Sequence, residues 1–293
     1  MAIDLQAFLE HSRRQIDDGL DRRVPPLGSS PPILHEAMRY ALLAPGKRLR
    51  GALLLATSDL LRGRREAALP LACAVEFVHA ASLILDDLPS MDNATLRRGK
   101  PVLHRVFGEA NAILAAVALL NTAYGVVQQA EGLRPRVRLR LLRLLTRSIG
   151  AEGLIGGQVV DLESTGKVQE LEALEFIHSH KTGALFIAAA EVGAVAAAGR
   201  SADVAALSQF AKNLGLAFQI TDDLLDYSGS PEVTGKDAGM DRDKTTFVEF
   251  CGIDGARRLV DELIDASGTA LAPFGRRGAL LAALAEFVRL RDR

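Results

Sequence analysis

The chain has 293 residues, of which 48% are hydrophobic and 24% charged, as in a globular protein with a large core. Its formal net charge of −1 gives no electrostatic argument for binding nucleic acid. With only Cys73 and Cys251, the sequence excludes a disulfide framework and a clustered zinc site, and it favours reduced thiols in a cytoplasmic protein.

The N-terminus has neither the basic start nor the apolar core of a signal peptide. Every apolar run is interrupted by a polar residue before it reaches the length that spans a bilayer, at Asn111, Asn121, Glu191 or Arg200. We therefore expect a soluble protein without a transmembrane segment.

Apolar residues recur at helical spacing along most of the chain, and strand alternation persists nowhere. Pro- and Gly-containing stretches separate the helices, but no linker divides the chain. The sequence thus predicts one all-α domain over residues 1–293, with roughly ten or more helices. These are expected at about 3–20, 32–43, 46–61, 66–88, 109–131, 135–163, from Phe176 through Phe186 and on to 198, and at 202–227, 253–268 and 277–290.

Basic residues open the third predicted helix. Lys47 and Arg50 are three apart, so both can face one ligand. With the backbone amides of a helix start they can bind an anion. In isolation, a solvated basic helix start is the more common explanation of such a pattern.

Two acidic clusters each end an apolar run, and basic residues follow both. They are Asp86, Asp87 and Asp92, and Asp222, Asp223 and Asp226. Carboxylate oxygens are hard ligands, and Mg²⁺ prefers one or two of them together with water and phosphate oxygens. One such cluster would more often be a solvated helix end, but two predict opposite walls of a site for divalent cations and phosphates.

The spacing within the clusters differs. Asp222 and Asp226 are four apart and share a helix face. A regular helix would not align Asp86 with Asp92, but Pro89 between them should disrupt the helix, and a local bulge could bring Asp92 round.

Three further patterns within the helices are explained by helix structure and do not require a binding site. Glycines around Gly156 and Gly157 cost about 1 kcal/mol each in a helix, which indicates a kink or the close approach of a neighbouring chain. His178 and His180 lie on different helical faces, which argues against a zinc site. A solvated helix face explains the arginine stripe better than a membrane or RNA surface does; the stripe is Arg136, Arg140, Arg143 and Arg147.

The acidic clusters resemble the first and second aspartate-rich motifs of the trans-polyprenyl diphosphate synthases, a family of isoprenoid synthases. The stretches 38–50 and 78–85 are similar to bacterial carotenoid-type geranylgeranyl diphosphate synthases. The resemblance runs from about Pro31 to Lys244 through six separated motifs. It departs at Gly51, where proline is usual, at Leu85, where many relatives have histidine, and at 116–117, where many have Gly-Asp.

The resemblance implies a homodimer with a deep central pocket in each chain, and substrates that are isopentenyl diphosphate and an allylic diphosphate. It implies about three Mg²⁺ ions, held by Asp86, Asp87, Asp92, Asp222 and Asp226. Isopentenyl diphosphate would be bound by Lys47, Arg50, His79 and Arg98.

The same resemblance gives roles to further residues around the allylic substrate. Arg97, Lys181 and Lys236 would add positive charge near its diphosphate, with Lys244 as a further substrate-binding residue. Thr182 and Gln219 would stabilise the allylic carbocation. The stretch 228–244 is long for a connection within a domain, which favours a functional lid.

The length of the product depends on the depth of the pocket. Ala81 lies five residues before Asp86, about 7.5 Å of helical rise. Because Ala81 and Ser82 are small, the growing chain should pass them, and Phe77 one turn deeper is the candidate floor. We therefore expect a twenty-carbon product, with farnesyl diphosphate as the alternative.

Other functions use similar acidic helices. A class I terpene cyclase would not need a second diphosphate site, which Lys47 and Arg50 could help to form here. A head-to-head prenyl synthase also ionises diphosphates with aspartate-rich helices. A non-catalytic synthase subunit should have lost part of an acidic cluster, and both clusters are intact.

Overall fold

The structure, a computed structural model, describes residues 4–164, 171–228 and 246–291. In these ranges it is built of α-helices, one short 3₁₀ helix and a two-stranded hairpin, which confirms the all-α fold class. The helices are α1 (Leu5–Asp21), α2 (Pro32–Leu42), α3 (Leu49–Leu60), α4 (Arg65–Asp86), α5 (Leu103–Phe107), α6 (Glu109–Gln129), α7 (Pro135–Ile149), α8 (Leu154–Ser164), α9 (Leu171–Lys181), α10 (Gly183–Ala196), α11 (Ser201–Ser228), α12 (Phe247–Leu271) and α13 (Ala279–Arg289).

Local chemistry sets several helix ends. The Asp4 carboxylate accepts a hydrogen bond from the Ala7 amide at the start of α1. Thr246 and Glu249 form a reciprocal capping box at the start of α12. Helix α4 ends at Asp86, and Pro89 three residues later cannot continue it, because proline has no amide hydrogen and disfavours a helical conformation at Leu88.

Helix α4 lies in the core of the fold. It packs against α3, α6 and α10, while α10 also packs against α7 and α11. The small residues of α10 let it come close to α3: a Cβ on Gly193 would lie 2.5 Å from the Leu54 carbonyl oxygen. This packing fixes α4 and α11, the two helices that carry the acidic clusters.

Two predicted helices are each divided in the structure. The stretch 135–163 forms α7 and α8, with a break at 150–153 that the glycines there allow. The prediction of one continuous helix through His178–Gly183 is wrong, because α9 ends at Lys181 and α10 begins at Gly183. Glycine is a poor helix former, and Thr182 at the junction turns its hydroxyl toward a side chain of α11.

A hairpin was not predicted, because its strands are too short to show alternation. Strands β1 (Leu96–Arg97) and β2 (Lys100–Pro101) pair antiparallel. Arg98 and Gly99 between them both have positive φ, as in the type I′ turns that fit two-residue hairpins.

By length and composition alone, two of the described helices could cross a membrane, which corrects the expectation that polar residues keep every apolar run too short. In α4, 67% of the apolar window is buried, as expected for a core helix. In α6 the buried share is 33%, so much of this helix is exposed on the single chain.

Candidate active site

The first acidic cluster sits where α4 ends in a tight turn. The Asp92 amide donates a hydrogen bond to the Asp86 carbonyl at 2.9 Å, and the Asn93 amide donates to the Leu88 carbonyl at 3.0 Å. The turn around Pro89 therefore returns the chain and brings Asp92 back to Asp86, as predicted from the position of Pro89.

Asp87 points elsewhere. It is buried, and the Arg97 guanidinium binds both of its oxygens, with the shortest contact at 2.7 Å. Burial raises the pKa of Asp87 above its usual value, although Arg97 opposes the shift. The structure thus separates Asp87 from Asp86 and Asp92 and uses it to hold the β-hairpin arginine.

Lys181, the last residue of α9, faces the first cluster. Its Nζ lies 2.8 Å from Asp161 Oδ2 and 3.5 Å from Asp86 Oδ1. Burial alone would lower the pKa of Lys181, but the carboxylates of Asp86 and Asp161 raise it above its usual value. Lys181 is therefore a firmly charged ammonium at the edge of the acidic cluster.

Gly157 allows this contact. A Cβ at Gly157 would lie 2.5 Å from the Lys181 backbone nitrogen, so only glycine lets α8 come this close to the end of α9. Asp161 lies four residues further along α8, on the same face. The close approach at these glycines is made by α9 of the same chain, and it presents Asp161 to Lys181.

The second acidic cluster divides its three carboxylates between two tasks. Asp223 is buried and accepts hydrogen bonds from Gln219 Nε2 and from the Phe247 amide, both at 3.0 Å. It thereby ties α11 to the start of α12. Asp222 and Asp226 are more accessible and remain the candidates for metal binding.

Thr182 and Gln219 are joined across the α9–α10 junction. The Thr182 hydroxyl donates a hydrogen bond to Gln219 Oε1 at 3.0 Å, and Gln219 in turn donates to Asp223. The amide orientation of Gln219 is thus fixed from both sides. Thr182 and Gln219 therefore lie close together, as their shared predicted role requires.

The predicted basic group also assembles. Arg50 lies 3.3 Å from the ring Nε2 of His79 and 4.8 Å from the centre of the Phe186 ring. Arg98 donates a hydrogen bond at 2.9 Å to the carbonyl of Pro45, two residues before Lys47. Burial is the main cause that holds the pKa of His79 well below its usual value, and the positive charges of Arg50 and Arg98 lower it further. The ring is therefore neutral near pH 7.

The basic group lies near the second acidic cluster. Burial and the guanidinium of Arg291 lower the pKa of Lys47, while Asp222 opposes them. Arg291 itself lies 3.0 Å from Asp222 and stacks over the Phe218 ring at 4.4 Å. The end of the chain therefore bridges the basic group and the acidic cluster.

The chain-length residues lie on α4 as expected from its register. Phe77 and Ala81 are fully buried, and the Ser82 hydroxyl donates to the His79 carbonyl at 2.9 Å. Their roles stay predictions. Lys236, Lys244 and the expected lid lie outside the described residues.

Sequence reasoning missed Asp161 and Arg291 as site residues and missed the role of Asp223. Asp161 follows Gly156 and Gly157, whose predicted close approach was a usable signal. Nothing local distinguishes Arg291, and the capping role of Asp223 depends on α12, which is distant in sequence.

The fold and the site together are typical of an α-helical enzyme that acts on diphosphates. The polyprenyl synthetase family model matches residues 31–266. The chain is 43% identical over 294 residues to the chloroplastic geranylgeranyl pyrophosphate synthase of Capsicum annuum, covering 99% of this chain and 79% of that one. It is 41% identical to the farnesyl diphosphate synthase of Geobacillus stearothermophilus, covering 99% of each.

Solved structures agree with these sequence matches. An FPP/GFPP synthase from Zymomonas mobilis has a TM-score of 0.88 at 35% identity, covering 99% of this chain and 100% of that one. A geranyltransferase from Helicobacter pylori, complexed with magnesium and isoprenyl diphosphate, has a TM-score of 0.88 at 29% identity, covering 98% of each. The chain belongs to the polyprenyl synthetase family, and it is a prenyltransferase.

Proposed function

We propose that the enzyme condenses isopentenyl diphosphate with an allylic diphosphate, head to tail, and releases mainly geranylgeranyl diphosphate. The observation that carries the proposal is the pairing of two charged sites. The acidic clusters with Lys181 form one site, and the basic group of Lys47, Arg50 and His79 forms a second site next to it. The relatives named for geranylgeranyl and farnesyl diphosphate support this reaction and leave the fifteen-carbon product as the alternative.

We assign Mg²⁺ binding to Asp86 and Asp92 on one wall and to Asp222 and Asp226 on the other, with about three ions in all. Within the described ranges, no group of three or more His, Cys, Asp or Glu side chains is arranged to hold a metal by itself. That arrangement fits Mg²⁺, which completes its shell with water and substrate phosphate oxygens. When bound, Mg²⁺ neutralises the diphosphate and makes it a better leaving group.

This assignment changes the role expected for Asp87. Its carboxylate is occupied by Arg97, so we propose that it positions this arginine rather than a metal. Arg97 and Lys181 then add fixed positive charge beside the allylic diphosphate. Preorganised charge of this kind is usually the largest contribution to catalysis.

The reaction breaks the allylic C1–O bond, and its electron pair leaves with the diphosphate. The oxygens of Thr182 and Gln219 face the resulting cation, while the apolar surroundings exclude water that would quench it. The double bond of isopentenyl diphosphate supplies the electrons of the new carbon–carbon bond. A proton then leaves to the departing diphosphate, because the low pKa of His79 makes it a poor base.

Isopentenyl diphosphate binds at the basic group in this proposal. The Nε of Arg50 is buried without a hydrogen-bond partner among the described residues, so a phosphate oxygen can satisfy it. Lys47 and Arg98 lie around the same loop and supply further positive charge.

We also propose that the enzyme is a homodimer. Large apolar side chains are exposed on one face of α6 and on one face of α8: Ile113, Leu114 and Val117, and Ile155, Val159 and Leu162. Such surfaces are typical of protein–protein contacts. A cytoplasmic location is proposed from the bacterial relative.

The test is product analysis with purified enzyme, Mg²⁺, isopentenyl diphosphate and each allylic starter. We expect a twenty-carbon alcohol after hydrolysis. A fifteen-carbon alcohol would retain the chemistry and place the pocket floor nearer to Asp86. Isopentenyl diphosphate left unconsumed by folded protein would instead favour a cyclase, a head-to-head synthase or a non-catalytic subunit.

A further inference from the structure

One surface of α7 has a concentration of positive charge that the reaction does not use. Arg136, Arg140 and Arg143 are exposed, and at 100° per residue they fall, with Arg147, within a sector of about 60°. Like charges at this spacing destabilise a helix. No acidic residue occurs anywhere from 132 to 151 to offset them.

These arginines differ from their neighbours in having no structural task. Arg138 donates to the backbone carbonyls of residues 128 and 133, and Arg147 binds Glu191 at 2.7 Å. Within the part of the chain that the structure describes, no hydrogen bond or ion pair engages Arg136, Arg140 or Arg143, which we call the arginine face.

The surroundings extend this charge and add an apolar contact. Leu139, beside the arginine face, is 50% exposed. Arg140 lines a groove of about 450 Å³ together with Lys212 of α11 and with the Arg147–Glu191 ion pair, so its net charge is positive. Residues 134–147 contribute six positive charges to a chain of net charge −1, so the remainder carries −7. A molecule with this asymmetry orients its positive side toward a negative surface.

We propose that the arginine face docks the enzyme on a membrane with anionic lipid headgroups. Arginine near such a surface binds its phosphates electrostatically, and the partly exposed leucine can enter the headgroup layer. A second copy of the chain is a poorer partner, because a two-fold axis through this face would place its arginines against each other. The reaction product is a lipid, and an enzyme resting on the bilayer releases it beside the phase that accepts its tail.

The test is co-sedimentation of the full-length enzyme with vesicles of phosphatidylcholine, alone or with a third of phosphatidylglycerol. We expect binding only to the anionic vesicles, with loss at high salt because exposed charges are screened. Each arginine contributes roughly a fivefold factor to partitioning, so the triple variant R136Q/R140Q/R143Q should bind about 100-fold more weakly.

A control variant with the same change in net charge shows whether the position of the arginines matters for vesicle binding. The variant R14Q/R62Q/R258Q removes three exposed arginines from α1, the end of α3 and α12, and should bind vesicles like wild type. Both variants should keep wild-type turnover and molecular mass. The proposal is overturned if wild type ignores anionic vesicles, if the two variants bind equally, or if the first variant alone changes oligomeric mass, which would assign the face to a chain–chain contact.

Discussion

Asp161 offers a sharp test of the active site, because only the structure connects it with Lys181. Its carboxylate lies 2.8 Å from the Lys181 ammonium, and both side chains are largely buried. A hydrogen bond to a charged group contributes about 1.5–3 kcal/mol. In the variant D161N, the ammonium should shift toward Asp86, now 3.5 Å away, and compete for an oxygen that we assign to Mg²⁺.

We expect D161N to lower kcat by about 10- to 100-fold, the range typical of residues that orient a metal ligand, and to raise the Mg²⁺ concentration needed for half-maximal rate. The assay is steady-state condensation across a Mg²⁺ titration, with urea unfolding to measure stability. E152Q, which neutralises an exposed carboxylate just before the same helix, is the control and should behave like wild type. If folded D161N keeps wild-type kcat and Mg²⁺ dependence, the assignment of Lys181 to the allylic site is wrong.

Three further predictions follow from individual side chains. Replacing Asp223 by alanine should lower the free energy of unfolding in urea by about 1–3 kcal/mol, since it leaves the Phe247 amide unpaired. Replacing Asp222 by alanine should abolish turnover and lower the free energy of unfolding by less. Equal losses of stability would contradict this division of roles. Ala81→Tyr should shorten the product to fifteen carbons by gas chromatography, and unchanged length would refute the pocket direction. Because the pKa of His79 is lowered in the folded state, its contribution to stability is present above about pH 6.5 and is lost as the pH falls, by up to about 1.4 kcal/mol per pH unit. His79→Gln should remove this pH dependence of the free energy of unfolding, measured in urea between pH 7 and 5. The same pH dependence in both proteins would show that other groups cause it.

The sequence predicted features that depend on local rules. Pro89 ends α4 wherever that helix lies, so the return of Asp92 to Asp86 could be expected. The four-residue spacing of Asp222 and Asp226 fixes a shared helix face in the same way. The unusual glycines pointed to a close approach, and Gly157 makes one.

Other features depend on contacts that no local pattern shows. Whether Asp87 faces a metal or an arginine is decided by a hairpin of two-residue strands ten residues later. Thr182 stands at the junction of α9 and α10, and its hydroxyl donates to Gln219 on α11, a partner 37 residues away in sequence. Arg291 reaches Asp222 only because the last helix packs beside α11.

The most direct test of the account asks whether the two diphosphates bind at chemically different places. Isothermal titration calorimetry of the wild-type enzyme would measure the binding of two ligands, each with Mg²⁺ and with a chelator. One ligand is isopentenyl diphosphate, and the other is an allylic thiolodiphosphate, whose carbon–sulfur bond resists cleavage. We predict that the chelator abolishes binding of the allylic analogue, whose site is formed by carboxylates. Binding of isopentenyl diphosphate to Lys47, Arg50 and Arg98 should persist without metal. If both ligands lost binding together, or if the allylic analogue bound without Mg²⁺, the two-site account would be contradicted.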